Sequence, residues 1–153
     1  MNTLELKIPP VAVFLIVALM MSYIAKNMQF AHLGIPFSQL IFLVCFIIAS
    51  FIALSGVREF RKVNTTVNPV RPETASTIVD SGIFGFTRNP MYLGLFIFLF
   101  GIGCWLQNGI SLLMSFSFIW YMNGYQIKPE EAALEKLFGA EYMAYKQRVR
   151  RWL

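Results

Sequence analysis

The chain has 153 residues, 57% of them hydrophobic and 14% charged, with 15 Phe, 8 Met and a formal net charge of +5. Soluble domains carry about 25% charged residues, so this composition excludes an ordinary soluble domain, and basic residues interleaved with long apolar runs fit membrane topology rather than nucleic acid. Cys45 and Cys104 lie inside apolar runs and His32 is the only histidine, a polar loop residue, so no disulfide framework, metal site or histidine-centred triad is indicated.

Four stretches are long and apolar enough to cross a bilayer, which takes about 20 residues: 9–26, 36–57, 90–106 and 109–127. The first is read as a retained helix rather than a signal peptide, because Glu5 and Pro9-Pro10 spoil a basic amino-terminal region and no A-x-A site follows. After the second comes the one long connection, 58–89, rich in Thr, Pro and Val. Arg58, Arg61 and Lys62 suit snorkelling to lipid phosphates, Asn68-Pro69 and Arg71-Pro72 mark turns, and Ser81-Gly82 and Gly85 allow a sharp bend. Ordered connections of this length tend to be functional.

The third stretch opens at Arg88-Asn89-Pro90-Met91-Tyr92-Leu93-Gly94. Asn89 fits an N-cap and Pro90 the first helical position, where its missing N–H costs nothing. Gly94, Gly101 and Gly103 are small residues that let neighbouring helices approach. A turn near Gln107-Asn108-Gly109 makes the third and fourth stretches antiparallel neighbours.

The tail, 128–153, begins Lys128-Pro129-Glu130-Glu131, acids in a first helical turn that the helix dipole favours. Leu134, Leu137, Phe138, Tyr142, Tyr145, Val149 and Trp152 then recur at three- and four-residue intervals, with a break expected at Gly139. This predicts an amphipathic helix on the cytoplasmic membrane surface or folded over the bundle mouth as a lid, with Tyr142 and Tyr145 as interfacial anchors.

With four spans, twelve basic residues fall on one side (Lys7, Arg58, Arg61, Lys62, Arg71, Arg88, Lys128, Lys136, Lys146, Arg148, Arg150 and Arg151) and Lys26 alone on the other. Cations are retained on the cytoplasmic side. The expectation is a single all-α polytopic membrane helical bundle, integral to the inner or plasma membrane, with about four transmembrane helices, both termini cytoplasmic and an interfacial carboxyl-terminal helix. Oligomeric state is open.

Two blocks together resemble a known family. Gly82-Ile83-Phe84-Gly85-Phe86-Thr87-Arg88-Asn89-Pro90-Met91-Tyr92-Leu93-Gly94 resembles the G-x-[YF]-x-x-x-R-H-P-x-Y-x-G signature of the integral-membrane methyltransferases, which include isoprenylcysteine carboxyl methyltransferases and phospholipid N-methyltransferases. Glu130-Glu131, followed by Phe138-Gly139, Glu141-Tyr142, Tyr145 and Arg148-Val149, resembles their E-E-x6-F-G-x-E-Y-x-x-Y-x-x-R-V tail. The resemblance covers roughly 64–149. It implies S-adenosylmethionine as cofactor and a membrane lipid or lipidated small molecule as substrate. Arg88, Asn89, Pro90 and Tyr92 would line the cofactor pocket, Glu130 and Glu131 would close it, and Arg148 would stand near an acceptor carboxylate. Asn89 replaces the family's His, so a role needing an imidazole proton is lost while a hydrogen bond survives.

The chemistry suits these residue types. A helix start and Arg88 match the cofactor's carboxylate, Glu130 and Glu131 its amino group or ribose hydroxyls, and Tyr92 its adenine or its cation. An in-line displacement needs no metal; alignment supplies much of the acceleration, worth about 7–11 kcal/mol. Arg148 favours a carboxylate acceptor slightly, whereas a protonated phospholipid amine needs a base such as Glu131 or Glu130. Two other readings stand beside this one: an NADPH-dependent membrane reductase of related architecture, and a non-catalytic small transporter or assembly protein. Two acids at the pocket disfavour the phosphate of NADPH, and spans without charges disfavour a transporter.

Overall fold

The computed structural model describes residues 5–62 and 76–153. The turns expected at Asn68-Pro69 and Arg71-Pro72 lie outside the described residues. Those described form helices α1 (Pro10–Asn27), α2 (Ser38–Lys62), α3 (Pro90–Leu106), α4 (Gly109–Met114), α5 (Phe116–Tyr121), α6 (Lys128–Phe138) and α7 (Ala140–Arg148). The chain is all-α. α1 and α2 are long and apolar enough to cross a membrane, and α3 is a shorter apolar helix.

Local chemistry explains most helix ends. Pro10 and Pro90 each occupy a first helical turn, where no donor is lost. α3 ends at Gln107, which turns left-handed at φ 52°. Asn108 then caps α4, accepting from the Ser111 N–H at 3.0 Å and donating to the Met28 carbonyl at 2.7 Å. His32, in the connection between α1 and α2, forms a β-bridge with Asn108. Gly139, at φ 54°, separates α6 from α7 where a break is expected.

α2 differs from expectation, running on through Arg58, Glu59, Phe60, Arg61 and Lys62 rather than ending at residue 57. No Gly or Pro interrupts it there, and basic residues in a last turn favour the helix dipole. Glu59 and Lys62 pair along this turn, and the Ser81 hydroxyl donates to Glu59 at 2.7 Å, tying the end of α2 to the approach to α3.

α3 lies against α1, α2 and α4, and its glycines make that position possible. A Cβ on Gly101 would stand 2.6 Å from the Cβ of Cys45, one on Gly94 3.0 Å from the Ala49 carbonyl oxygen, and one on Gly103 2.8 Å from Leu112. Val13, Phe14, Val17 and Met21 of α1 join Leu99, Phe118, Met122 and Ile127 in the main apolar core. On the outside, Leu19, Phe51 and Leu54 are 71%, 69% and 68% exposed. Such outward apolar faces suit lipid rather than water, and with the two long apolar helices they describe an integral membrane protein.

Residues 109–127, expected as one span, form α4, α5 and a π-helical turn, Met122–Ile127, that runs into α6 without a loop. Pro129 accounts for part of this irregularity, since a proline cannot donate to the carbonyl four residues back. That carbonyl, on Tyr125, accepts from the Leu6 N–H at 3.0 Å, while Lys128 N–H reaches back to Asn123. The wider turn rotates α6 relative to α5 and sets the direction in which Glu130 and Glu131 project.

α7 packs on α6 and on the approach to α3. Tyr142 and Tyr145, expected as interfacial anchors, are instead buried with Val149 against Ile78, Leu134 and Phe138. The Tyr145 hydroxyl donates to the Phe84 carbonyl at 2.8 Å, which fixes α7 on the short 3-10 helix Gly82–Gly85. Leu137, in the same predicted stripe, turns outward, 46% exposed.

Candidate functional site

The site is built where the start of α3 meets the start of α6. Arg88 stands at its centre, its side chain only 9% exposed. Its Nη2 donates to Glu131 Oε1 at 2.7 Å, and its Nη1 donates to the carbonyls of Lys146 and Val149 at 3.1 and 2.5 Å. The last carbonyls of a helix have no partner within it, so Arg88 caps α7 while it pairs with α6. Its Nε is buried with no hydrogen-bond partner among the described residues.

Glu131 holds a second arginine. Arg151 donates from Nε to Oε1 at 3.1 Å and from Nη2 to Oε2 at 2.6 Å. Burial pushes the Glu131 carboxyl up, but the bonds from Arg151 and Arg88 outweigh it and hold the group below the usual carboxylate range. The same contact raises the Arg151 guanidinium.

Glu130 is the contrast. It is partly buried, and its Oε2 accepts from the Tyr92 hydroxyl at 3.0 Å, while no Lys or Arg among the described residues forms an ion pair with it. Burial, with a smaller push from Glu131 and against the Tyr92 hydrogen bond, raises its carboxyl to about 7. Adjacent residues on one helix thus carry carboxyls that are shifted in opposite directions. Burial also raises the Tyr142 and Tyr145 hydroxyls.

Asn89 stands at the N-cap position, yet its side chain makes no capping bond. Nδ2 donates instead to the Arg151 carbonyl at 2.9 Å, and Thr87 Oγ1 accepts from the Asn89 N–H at 3.2 Å. The side chain expected to cap α3 is turned toward the carboxyl tail. Pro90 is buried and, with Phe60, Phe84, Arg88, Asn89, Met91, Tyr92 and Glu130, lines a cavity of about 30 Å³.

Of the residues singled out in sequence, Arg88, Asn89, Pro90, Tyr92, Glu130 and Glu131 gather here. Arg148 does not. It is exposed on α7, its Nη2 donating to Asp80 Oδ2 at 3.0 Å. Arg151 takes the place at Glu131, because the chain leaves the helix after Arg148 and extends, bringing residues 149–152 back across the loop before α3. In the sequence, Arg151 stands only as a topological charge, Trp152 only as part of the tail's apolar stripe and Thr87 only as a letter of the motif, and Phe60 has no role. The Arg150-Arg151-Trp152 cluster was a signal, but its partners are distant in sequence.

Three of the known proteins to which the chain is similar bear on this site. It is 48% identical over 63 residues to an uncharacterized protein of Haemophilus influenzae, a match covering 41% of this chain and 100% of that protein. To the protein-S-isoprenylcysteine O-methyltransferase of Saccharomyces cerevisiae it is 33% identical over 79 residues, 52% of this chain and 33% of that enzyme. To the protein-S-isoprenylcysteine O-methyltransferase of Homo sapiens it is 34% identical over 73 residues, 48% of this chain and 26% of that enzyme. The chain thus spans between a quarter and a third of the length of these enzymes. The family model described as phospholipid methyltransferase matches residues 38–141, which take in α2, both acids of α6 and the whole Arg88 block. The chain belongs to the phospholipid methyltransferase family.

Proposed function

We propose that the protein transfers a methyl group from S-adenosylmethionine to a lipid-like or isoprenoid acceptor at the cytoplasmic membrane surface. The observation that carries the reading is the meeting of two blocks distant in sequence, Arg88 on Glu131 at 2.7 Å and Tyr92 on Glu130 at 3.0 Å. In this reading the chain crosses the membrane four times, through α1, α2, α3 and the segment 109–127, with both termini on the charge-rich side.

The donor set fits the cofactor. A buried arginine with an unused N–H, an aromatic hydroxyl and a carboxyl without an ion pair among the described residues suit a ligand that is at once zwitterionic, cationic and aromatic. The space does not fit as it stands: ligand pockets run to roughly 300–1,000 Å³, against about 30 Å³ here. In this reading the site is closed among the described residues, and its walls part to admit a ligand.

When bound, S-adenosylmethionine supplies an electrophilic methyl group on a sulfonium. Arg88, Asn89 and Tyr92 bind and orient on the α3 side; Glu130 and Glu131 do so from α6. The packed α7 and the tail exclude water, which strengthens the charge contacts inside. Glu131, neutralised by two arginines, is poorly suited to take a proton. Glu130 is better suited, so a protonated amine acceptor has its base in place. A carboxylate acceptor needs no base but would draw on Arg148, which pairs with Asp80.

Calorimetry with S-adenosylmethionine in detergent, and methyl-labelled cofactor incubated with native lipid extract, test the reading together. The wild type should bind and label a lipid, and mass spectrometry of the product names the acceptor. Tyr92→Phe and Glu130→Gln, which preserve volume, should each weaken binding about fivefold, the worth of a hydrogen bond of ~1 kcal/mol. No binding by the wild type, or unchanged affinity in both variants, removes the site assignment.

A further inference from the structure

The charged cluster is held shut by the chain's own tail. After α7, residues 149–152 run as a strap across the loop before α3, and their carbonyls are taken one after another. Val149 accepts from Arg88 Nη1 at 2.5 Å, Arg150 from the Arg88 N–H at 3.0 Å, and Arg151 from Asn89 Nδ2 at 2.9 Å and Thr87 Oγ1 at 3.3 Å. Beyond these, Trp152 Nε1 donates to Asn123 Oδ1 at 3.1 Å, and the indole packs on the main apolar core.

With the strap in place, both oxygens of Glu131 are occupied, and Arg88 gives three of its five N–H groups to protein acceptors. A cationic group that takes the face of Glu131 now held by Arg151 must displace that guanidinium. The two arginines on Glu131 differ in how readily they leave. Arg88 is held by two carbonyls besides Glu131 and its side chain is 9% exposed, whereas the Arg151 side chain is 31% exposed and, among the described residues, bonds to Glu131 alone. Arg151 has solvent to move into; Arg88 does not.

We propose that the strap 149–152 gates the cofactor site, and that the Arg151 guanidinium stands on Glu131 in place of a cationic group of the ligand, which displaces it on binding. This rests on the S-adenosylmethionine reading. The exchange keeps Glu131 ionised and paired in both states, so the buried carboxylate is never left alone, the arrangement that costs most in a low-dielectric site. The affinity observed for a ligand that carries such a cation is then its intrinsic affinity reduced by the fraction of molecules with Arg151 off Glu131, and a ligand without one is not reduced in this way.

The test is calorimetry of wild type, Arg151→Gln and Arg151→Lys in detergent with two ligands. S-Adenosylmethionine carries an ammonium and a sulfonium; 5′-methylthioadenosine keeps the adenosine and lacks both. Arg151→Gln should bind S-adenosylmethionine about tenfold more tightly than wild type and 5′-methylthioadenosine equally, while Arg151→Lys stays near wild type with both. Unchanged or weaker S-adenosylmethionine binding by a folded Arg151→Gln overturns the proposal. An equal gain for both ligands overturns the exchange at Glu131, since the strap then acts as a steric plug. If the wild type binds neither ligand, the cofactor reading fails and this inference with it, an outcome distinct from a wild type that binds but does not respond to Arg151.

Discussion

The two ends of α3 both carry polar networks, and they are built on opposite principles. At the Gln107–Asn108 end every member is uncharged: Gln107 Nε2 donates to Ser38 Oγ at 3.0 Å, Asn108 bridges Met28 and Ser111, and Ser111 Oγ donates to the Met21 carbonyl at 2.7 Å. At the Arg88 end the network is ionic, with two arginines on one carboxylate, a neighbouring carboxyl raised toward 7 and an orphaned N–H. A satisfied neutral network is a staple that joins helices at modest cost. An ionic one gives up hydration and recovers it only in part, which makes it a poor staple but a ready place for an incoming charge.

Removing one member from each end gives the largest expected contrast. Arg88→Ala leaves Glu131 to Arg151 alone and strands the α7 carbonyls, at a cost of up to about 3–5 kcal/mol, the range for breaking a buried pair. Asn108→Ala loses a cap, worth about 1–2 kcal/mol, and leaves ligand binding intact. Thermal melting in detergent with parallel calorimetry checks both. Comparable losses of stability at the two ends would erase the distinction.

A smaller effect concerns pH. The Glu130 carboxyl titrates near 7 when folded against an ordinary value of 4.5, so the folded chain keeps a proton that the unfolded chain has lost. Its contribution to stability therefore falls as pH rises from about 4.5 to about 7 and then levels. Glu130→Gln should melt above wild type at pH 8 and together with it below pH 4.5. Glu131 works in the other direction, its contribution being lost as pH falls through its depressed folded value. Melting of the Asn108 variant should track wild type across this range.

The smallest effect expected is at Arg148, close in sequence to the ionic end but outside its network. Exposed pairs such as Arg148 and Asp80 are worth about 0–1 kcal/mol, and Arg148→Ala should leave both melting and S-adenosylmethionine binding within error. A clear loss of binding would draw Arg148 into the site.

Much of this was legible in sequence, for identifiable reasons. The starts of α1 and α3, the turn at Gln107 and Asn108 and the break at Gly139 follow from what Pro, Asn and Gly do to their own backbone. The glycine seam of α3 was visible because only residues without a Cβ permit such an approach. The tail's apolar stripe showed that a helix forms there but not what covers it, which is why buried Tyr142 and Tyr145 were read as membrane anchors.

The sequence by itself determined the helical class, the apolar stretches and the two motif blocks, because each rests on hydropathy or on chemistry within a few residues. The tertiary structure decided which charges meet. That Arg151 rather than Arg148 reaches Glu131, that Asn89 bonds the tail instead of capping α3, and that one of two adjacent acids is neutralised while the other is not all depend on where α7 ends and how the chain returns. Contacts between residues 20 to 62 apart in sequence have no local signature, and a pKa is set by the neighbours that folding supplies.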